Sequence, residues 1–319
     1  MISNGSGTAI AGPGGVVRAR MDDDGRTLAR NQDRPIARSP TPPVVVSFGE
    51  IVWDEVELSP EANVALGGSA YASALHAAAL GANARLVSAV GSDAFGERAL
   101  REIQNQGLTT EWVQVRSGSK TARVHVTTSE EGPRYAPIAR LDWGSVDFQA
   151  TLTEALRDAD ALMFAVFLQG TPAPLAELRG AFEQCARPPH VGCDLNLRHS
   201  LEKKTLEELR SLVDFVKLNQ LELERARIII GESDVAGFFF EQSQVRFVVE
   251  SRGAEGACVR FRGGALEVPA PRRGAPEHSV GAGDALLASL TVALCRGEEP
   301  SRALADAVRY ASALVLART

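Results

Sequence analysis

Apolar residues along this chain fall into two alternating kinds of segment. Short runs rich in β-branched residues, such as VVVSF from Val44 and FVKLN from Phe215, are typical of strands buried on both faces of a sheet. Longer Ala- and Leu-rich segments, such as the one between Gly68 and Gly81, end at glycine and predict helices. Strands that alternate with helices of this length predict βαβ units and a mostly parallel sheet.

One region departs from this alternation. From Val113 to Val146 the chain is rich in β-formers and turn residues and contains no helical pattern, which is typical of an antiparallel sheet with one exposed face. The segment before Leu66 offers further strands for it. We predict a small β-sheet lid, formed by about 55–66 and 113–146, that covers a ligand cleft. If the lid exposes an apolar face, a homodimer through the lid would cover it.

The first 42 residues differ in composition from the rest. They are rich in Gly, Pro, Arg, Asp and Ser and lack a sustained apolar period, so they bury too little apolar surface to offset the entropy of ordering. We predict a disordered tail over 1–42, or a start of translation at Met21, and a folded domain over 43–319.

Charge and cysteine content narrow the class of partner. The 319 residues include 34 Lys and Arg against 40 Asp and Glu, with a net charge of −6 and no basic run interleaved with aromatic residues. This pattern argues against a nucleic-acid partner and favours a small molecule. The four cysteines are scattered, without a C-x-x-C pair, which fits a reducing, cytoplasmic setting. No apolar stretch approaches the roughly 20 residues that a membrane span needs.

A stretch near the C-terminus combines small residues with one carboxylate. In SVGAGDALLASL, from Ser279 to Leu290, the residues Gly281, Ala282 and Gly283 precede an apolar helix. Backbone N–H groups there can approach a ligand closely, and the helix dipole favours an anion such as phosphate. Asp284 in the first turn could accept a proton from a hydroxyl group, or it could simply cap the helix behind a glycine turn. Neither a Walker A motif nor a dinucleotide fingerprint is present.

Six strings, in order along the chain from about Val44, resemble motifs of the ribokinase/PfkB carbohydrate kinase family, and most closely its bacterial fructokinase-like members. They comprise a first strand that ends in Asp, the segment after the second long strand, a D-x-N-x-R segment, an N-x-x-E motif, a glycine-containing turn and the G-A-G-D signature. The strings are FGEIVWD (48–54), VGSDAFG (90–96), GCDLNLR (192–198), KLNQLE (217–222), SRGAEGA (251–257) and SVGAGDA (279–285).

The resemblance implies a ribokinase-like three-layer α/β/α domain with a mostly parallel central sheet and a small β-sheet lid. It implies ATP and Mg²⁺ as cofactors and a role for each matching residue. Asp284 would be the catalytic base, and the backbone of Gly281, Ala282 and Gly283 would stabilise the transferring phosphoryl group. The remaining implied residues are Asp54, Gly67, Gly68 and Arg198 for the substrate, Asn219, Glu222, Ser251, Gly253 and Gly256 for the nucleotide, and Glu222 for the metal through water.

Simpler interpretations exist for several of these residues. Glu222 could be an ordinary helix acid, Arg198 could belong to a turn or a surface ion pair, and Asp54 could be a polar strand end. Two positions also depart from the family pattern. Ala72 stands where the G-G-x-x-x-N signature has a sugar-binding Asn, and His278 replaces the Asp that opens the second signature, which argues against K⁺ activation.

We therefore predict an ATP-dependent kinase that phosphorylates a hydroxymethyl group of a sugar or sugar-like small molecule. Two alternatives stay open at this point. The chain could be a catalytically impaired ligand-binding or regulatory protein that retains the fold, since a fold does not fix a function. It could also be a kinase for a nucleoside or another non-sugar alcohol.

Overall fold

The computed structural model describes residues 42–56, 63–129, 132–168, 171–185, 189–197, 201–241, 243–271 and 281–316. Two sheets carry most of the strands. The strands are β1 Val44–Phe48, β2 Val52–Val56, β3 Asn63–Gly67, β4 Asn83–Gly91, β5 Val113–Arg116, β6 Arg123–Ser129, β7 Gly132–Ala139, β8 Ala161–Ala165, β9 Phe167–Leu168, β10 Thr171–Pro172, β11 His190–Asp194, β12 Phe215–Asn219, β13 Phe247–Ser251, β14 Ala257–Phe261 and β15 Gly264–Val268.

The helices of the described residues follow the alternation that the sequence predicts. They are α1 Ser69–Ala79, α2 Ala94–Asn105, α3 Gln149–Leu156, α4 Leu175–Glu183, α5 Lys203–Leu209, α6 Gln220–Ile230, α7 Val235–Phe240, α8 Ala282–Cys295 and α9 Pro300–Leu316. Short 3-10 helices lie at Trp143–Ser145 and Gly253–Glu255. None of the helices in the described ranges is long and apolar enough to cross a membrane.

The main sheet has nine strands in the order β15-β14-β13-β12-β11-β8-β1-β4-β5. All neighbours from β13 to β5 pair in parallel, and β14 and β15 add an antiparallel edge. Successive side chains of β1 point to opposite faces of the sheet and belong to two hydrophobic cores. Val46 and Phe48 pack with α3 to α7, whereas Val45 packs with α1, α2, α8 and α9. The predicted three-layer α/β/α fold with a mostly parallel sheet is therefore confirmed.

The second sheet has the order β3-β2-β6-β7 and joins two distant parts of the chain. It is mixed, because β2 pairs in parallel with β6 while its other neighbours are antiparallel. The segments predicted for the lid, 55–66 and 113–146, only partly coincide with this sheet. Val113–Arg116 forms β5 at the edge of the main sheet instead, and Trp143 packs against Phe148 in the main core. Val113 is buried, and this side chain directs the short strand to the main core.

The predicted tail lies outside the described residues except for Pro42. At the start of β1, the backbone N–H of Val44 donates to Asp160 Oδ2 at 2.9 Å.

Asp93 links the first turn of α2 to the segment that precedes β6 in the second sheet. Its carboxylate caps α2 by accepting from the backbone N–H of Gly96 at 2.9 Å, and it accepts from the backbone N–H of Thr121 at 3.0 Å. Burial raises the pKa of Asp93, but the hydrogen bonds from Thr121 and Gly96 outweigh burial and hold that pKa below its usual value. The motif that contains Asp93 thus anchors the chain just before β6.

We expect Asp93→Ala to lower the free energy of unfolding by about 1–3 kcal/mol, because it removes a helix cap and leaves the N–H of Thr121 without an acceptor. Equilibrium urea unfolding followed by circular dichroism measures the change. Asp142→Ala is the control: Asp142 is exposed, precedes a 3-10 helix and makes no side-chain cap. An equal loss of stability in the two variants would contradict the assignment.

Candidate functional site

Parallel strands of the main sheet end at a small pocket. The carboxyl ends of β1, β8 and β11 contribute Phe48, Phe164 and Asp194 to its lining, and α1 closes another side. Clefts at the carboxyl ends of parallel strands are the usual ligand sites of open α/β sheets. Ser47, Ser69, Ser73 and Asp284 supply the other polar side chains of the lining. Asp284 therefore shares this pocket with the hydroxyl-bearing residues Ser47, Ser69 and Ser73.

The first turn of α8 brings backbone donors to this pocket. Gly281 caps the helix in the left-handed region, with φ 84°, where glycine is free of the Cβ penalty. Ala282 and Gly283 begin the helix, and Asp284 follows within the first turn. From Ala285 to Cys295 every residue is buried, so the N-terminus of a helix inside the protein points its N–H groups and dipole at the cleft.

A buried ion pair lies beneath that turn. Lys217 Nζ donates to Asp194 Oδ2 at 2.7 Å, and both side chains are more than nine-tenths buried. The two residues are register partners on the parallel strands β11 and β12. Burial alone lowers the pKa of the Lys217 ammonium, but three surrounding carboxylates outweigh burial and hold that pKa above its usual value. The carboxylates are those of Asp194, Glu222 and Asp284.

Gly283 is in direct contact with this ion pair. A Cβ atom at position 283 would lie 2.7 Å from Lys217 Nζ and 3.9 Å from Asp194 Oδ2. Because Lys217 is buried and already paired with Asp194, its ammonium has little room to withdraw. The close approach of α8 to β12 thus requires a residue without a side chain at position 283.

Asn219 and Glu222, predicted to lie near the nucleotide, form a reciprocal capping box. The N–H of Asn219 donates to Glu222 Oε2 at 2.8 Å, and the N–H of Glu222 donates to Asn219 Oδ1 at 2.9 Å. Glu222 is 6% exposed, which is unusual for a helix acid and contradicts the interpretation of a solvated surface residue. The cap fixes a buried carboxylate beside Lys217.

The predicted nucleotide turn lies next to Asn219. Ser251 is the register partner of Asn219 at the end of β13, and its hydroxyl donates to the Leu218 carbonyl at 3.4 Å. Gly253 and Gly256 both have positive φ, and a Cβ atom on Gly256 would lie 2.1 Å from the carbonyl oxygen of Val268. These glycines form a tight turn between β13 and β14.

On the other side of the pocket, Gly67 and Gly68 lead into α1. A Cβ atom on Gly67 would lie 2.4 Å from Asp54 Oδ2, so the carboxylate of β2 rests against the backbone of β3. Gly68 has φ 102°, and a Cβ atom there would lie 2.3 Å from the Glu50 carbonyl oxygen. Both glycines therefore allow β2, β3 and the start of α1 to approach one another closely.

Four further residues of the sequence motifs remain to be placed: Ala72, Asn196, Arg198 and His278. Asn196 has φ 38° and its N–H donates to Asp194 Oδ1 at 3.2 Å, which supports the turn interpretation of this segment. Arg198 and His278 lie outside the described residues. Ala72 is half-buried on α1, between the pocket-lining residues Ser69 and Ser73.

The sequence-based prediction missed the ion pair and the three serines. A lysine inside the apolar run FVKLN was the available signal for Lys217, because a buried strand rarely carries a charge without a buried partner. Ser69 and Ser73 are four residues apart and so share a helix face.

Comparisons with known proteins identify the family and the fold of this chain. Residues 45–319 match the family model described as pfkB family carbohydrate kinase. A comparison with curated protein sequences finds no match.

Solved structures with the same fold include two sugar kinases and a nucleoside kinase. The fructokinase of Xylella fastidiosa with bound ATP is 20% identical, with a TM-score of 0.70 over 85% of this chain and 90% of its own. The ribokinase of Arabidopsis thaliana, complexed with ribose and ATP, is 19% identical, with a TM-score of 0.71 over 86% and 93%. The nucleoside kinase of Burkholderia thailandensis in complex with inosine is 19% identical, with a TM-score of 0.65 over 86% and 97%.

The family match covers far more than half of the chain, and the fold matches these solved kinases over most of their length. This chain therefore belongs to the pfkB family of carbohydrate kinases.

Proposed function

We propose that this protein is an ATP-dependent kinase that transfers the γ-phosphoryl group of ATP to a hydroxymethyl group of a sugar or sugar-like molecule. One observation carries the proposal: Asp284 lines a pocket at the N-terminus of a buried helix whose first turn is formed by Gly281 to Gly283. A carboxylate and converging N–H donors at one pocket are the parts that phosphoryl transfer needs, since the reaction depends mainly on positioning and charge stabilisation.

In the proposed reaction, Asp284 accepts the proton of the acceptor hydroxyl group. The hydroxyl oxygen then forms a bond to the γ-phosphorus of ATP, the bond to the β,γ-bridging oxygen breaks, and ADP leaves. The N–H groups at Gly281, Ala282 and Gly283 stabilise the negative charge that is spread over the phosphoryl oxygens. The phosphorylated acceptor and ADP are the products, and Asp284 releases its proton to solvent.

The nucleotide would lie on the side of Asn219, Ser251, Gly253 and Gly256, where β12 and β13 end. Glu222 supplies a buried carboxylate on this side, and carboxylates are ligands that Mg²⁺ prefers. The described residues contain no cluster of three acidic, His or Cys side chains that could bind a metal ion directly. Glu222 would hold Mg²⁺ through water. When bound, Mg²⁺ would neutralise charge on the ATP phosphates.

The acceptor would lie on the side of Asp54, Gly67 and Gly68. Ser69 and Ser73 offer hydroxyl groups where the family Asn is replaced by Ala72. The remaining wall is apolar and includes Phe48, Met163, Phe164 and Leu287. This lining favours an acceptor with fewer hydroxyl groups than a free hexose, so a nucleoside or another non-sugar alcohol is the second candidate. The non-catalytic alternative is less consistent with a cleft that holds Asp284.

We expect Asp284→Asn to lower kcat by 10²-fold or more, because the amide has no basic site for the hydroxyl proton. The assay measures ADP release from ATP and Mg²⁺ with a panel of sugars, sugar acids and nucleosides. The control is Asp234→Asn, an exposed aspartate at the start of α7, which should keep wild-type turnover. Wild-type protein that binds ATP but shows no turnover above Asp284→Asn with any acceptor would favour the binding-protein alternative.

We expect Glu222→Gln to keep the stability of the protein and to raise the Mg²⁺ concentration needed for half-maximal turnover by roughly tenfold. The Gln side chain can still accept from the N–H of Asn219, so the cap persists while the charge is lost. The matched control is Glu224→Gln on the same helix, where the carboxylate is 61% exposed. An unchanged Mg²⁺ requirement in Glu222→Gln would refute the role of this carboxylate.

We expect Ala72→Asn to lower the KM for a hydroxyl-rich sugar by about tenfold, because it restores an amide that can hydrogen-bond sugar hydroxyl groups. The control is Ala72→Leu, because leucine has the same number of side-chain heavy atoms as asparagine but no hydrogen-bond donor or acceptor. Steady-state kinetics with a sugar and a nucleoside as acceptors measure the effect. A rise in KM in both variants would mean that residue 72 does not face the acceptor hydroxyl groups.

A further inference from the structure

The buried ammonium of Lys217 lies under the part of the site that would bind phosphate. Its Nζ occupies the volume of a Cβ atom at Gly283, 2.7 Å from that position, and its partner Asp194 lines the same pocket as Asp284. Lys217 is 5% exposed in a strand that is otherwise apolar until its last residue. Burial of a charge in such a place is costly unless the charge is paired and hydrogen-bonded.

Two roles are physically distinct for this lysine. In the first, Lys217 only neutralises Asp194, and the pair could be exchanged for two neutral residues without effect on ligand binding. In the second, the ammonium adds a fixed positive charge beneath the N–H groups of the helix turn. The charges of the described residues favour the second role, because the carboxylates of Asp194, Glu222 and Asp284 all interact with the Lys217 ammonium. A triphosphate that enters the cleft would otherwise meet a negative field from Asp194, Glu222 and Asp284.

The geometry around Gly283 gives independent support for the second role, in which the ammonium adds a positive charge beneath the helix turn. If Lys217 only neutralised Asp194, the ammonium could lie anywhere around the Asp194 carboxylate. It lies instead against the backbone of the helix turn, 2.7 Å from Asp194 Oδ2 on one side and in the Cβ volume of Gly283 on the other. The ion pair therefore links β11, β12 and α8 at the point where the donors of the turn face the pocket.

We propose that Lys217 is a positioning residue for the γ-phosphoryl group: its ammonium forms the cationic floor of the turn Gly281–Gly283, holds that turn in place and attracts the terminal phosphate of ATP. This inference rests on the proposed function, because it assumes that the turn binds a nucleotide phosphate. It assigns no proton transfer to Lys217, which stays an ammonium throughout.

The test compares ATP with ADP, because only ATP carries the terminal phosphate. Isothermal titration calorimetry with Mg²⁺ measures both affinities for the wild type, Lys217→Met, Asp194→Asn and the double variant. Methionine matches the length of lysine without its charge. We expect Lys217→Met to weaken ATP binding at least tenfold while ADP binding changes less than twofold, in line with the loss of a charge-assisted contact.

The other two variants separate a structural role from a positioning role. Asp194→Asn keeps the ammonium, so it should retain the wild-type ratio of ATP to ADP affinity or increase it. The double variant removes both charges, so it should regain the melting temperature lost in Lys217→Met. It should nevertheless keep the weakened binding of ATP. The double variant also keeps the test valid if Lys217→Met alone does not fold.

Each other outcome overturns a specific claim. If the double variant regains wild-type ATP affinity together with its stability, Lys217 only neutralises Asp194 and the inference is wrong. The inference is also wrong if Lys217→Met binds ATP and ADP in the wild-type ratio. If the wild-type protein binds neither nucleotide, the proposed kinase function itself fails, and the inference fails with it.

Discussion

A lysine ammonium buried between two strands and a helix determines how the polar edge of this sheet is built. Lys217 Nζ lies 2.7 Å from Asp194 Oδ2 and occupies the Cβ volume of Gly283. The first turn of α8 can reach this position only because residue 283 has no side chain. Since interiors are close-packed, a contact of this kind fixes the start of α8 relative to β11 and β12. The position of Asp284, one residue later, follows from it.

The layers of the fold could be predicted from the sequence because their signals are local. Continuous apolar runs and glycine-ended helices indicate the parallel sheet without knowledge of distant contacts. The boundaries of the second sheet could not be predicted in this way. β5 reads VQVR, with Val113 buried and Val115 53% exposed, a pattern that suits an edge strand of either sheet. Its pairing with β4 depends on packing that the sequence pattern does not encode. The dimer through the lid stays a prediction.

The residues of the candidate site likewise include some that could be predicted from the sequence and some that could not. Asp284 and the glycines before it could be recognised from one short string, because a helix N-terminus and its first turn are contiguous in sequence. The partner of Lys217 could not be recognised in this way, because Asp194 is 23 residues away in sequence. The two side chains come into contact only through the register of the parallel strands β11 and β12. The spacing around Glu222 alone would equally suit a surface helix acid, whereas the capping box with Asn219 holds this carboxylate inside the protein.

The two sides of the cleft differ in the kind of polar group that they present: backbone N–H groups on one side and side chains on the other. A single substitution therefore has different consequences on the two sides. On the side proposed to bind phosphate, the donors are backbone N–H groups, and the charges of Lys217 and Asp194 are buried and paired. A substitution at Gly283 or Lys217 therefore disturbs β11, β12 and α8 at once. On the side proposed to bind the acceptor, the polar groups are side chains of α1 and Asp54 of β2, and Ala72 stands within α1 where the family signature has an asparagine. If the proposed function is correct, acceptor preference can therefore change through single residues such as Ala72 without a change in the residues proposed for phosphoryl transfer. The hydroxyl groups of Ser69 and Ser73, one helical turn apart beside Ala72, are the polar groups of α1 from which a changed preference would be built.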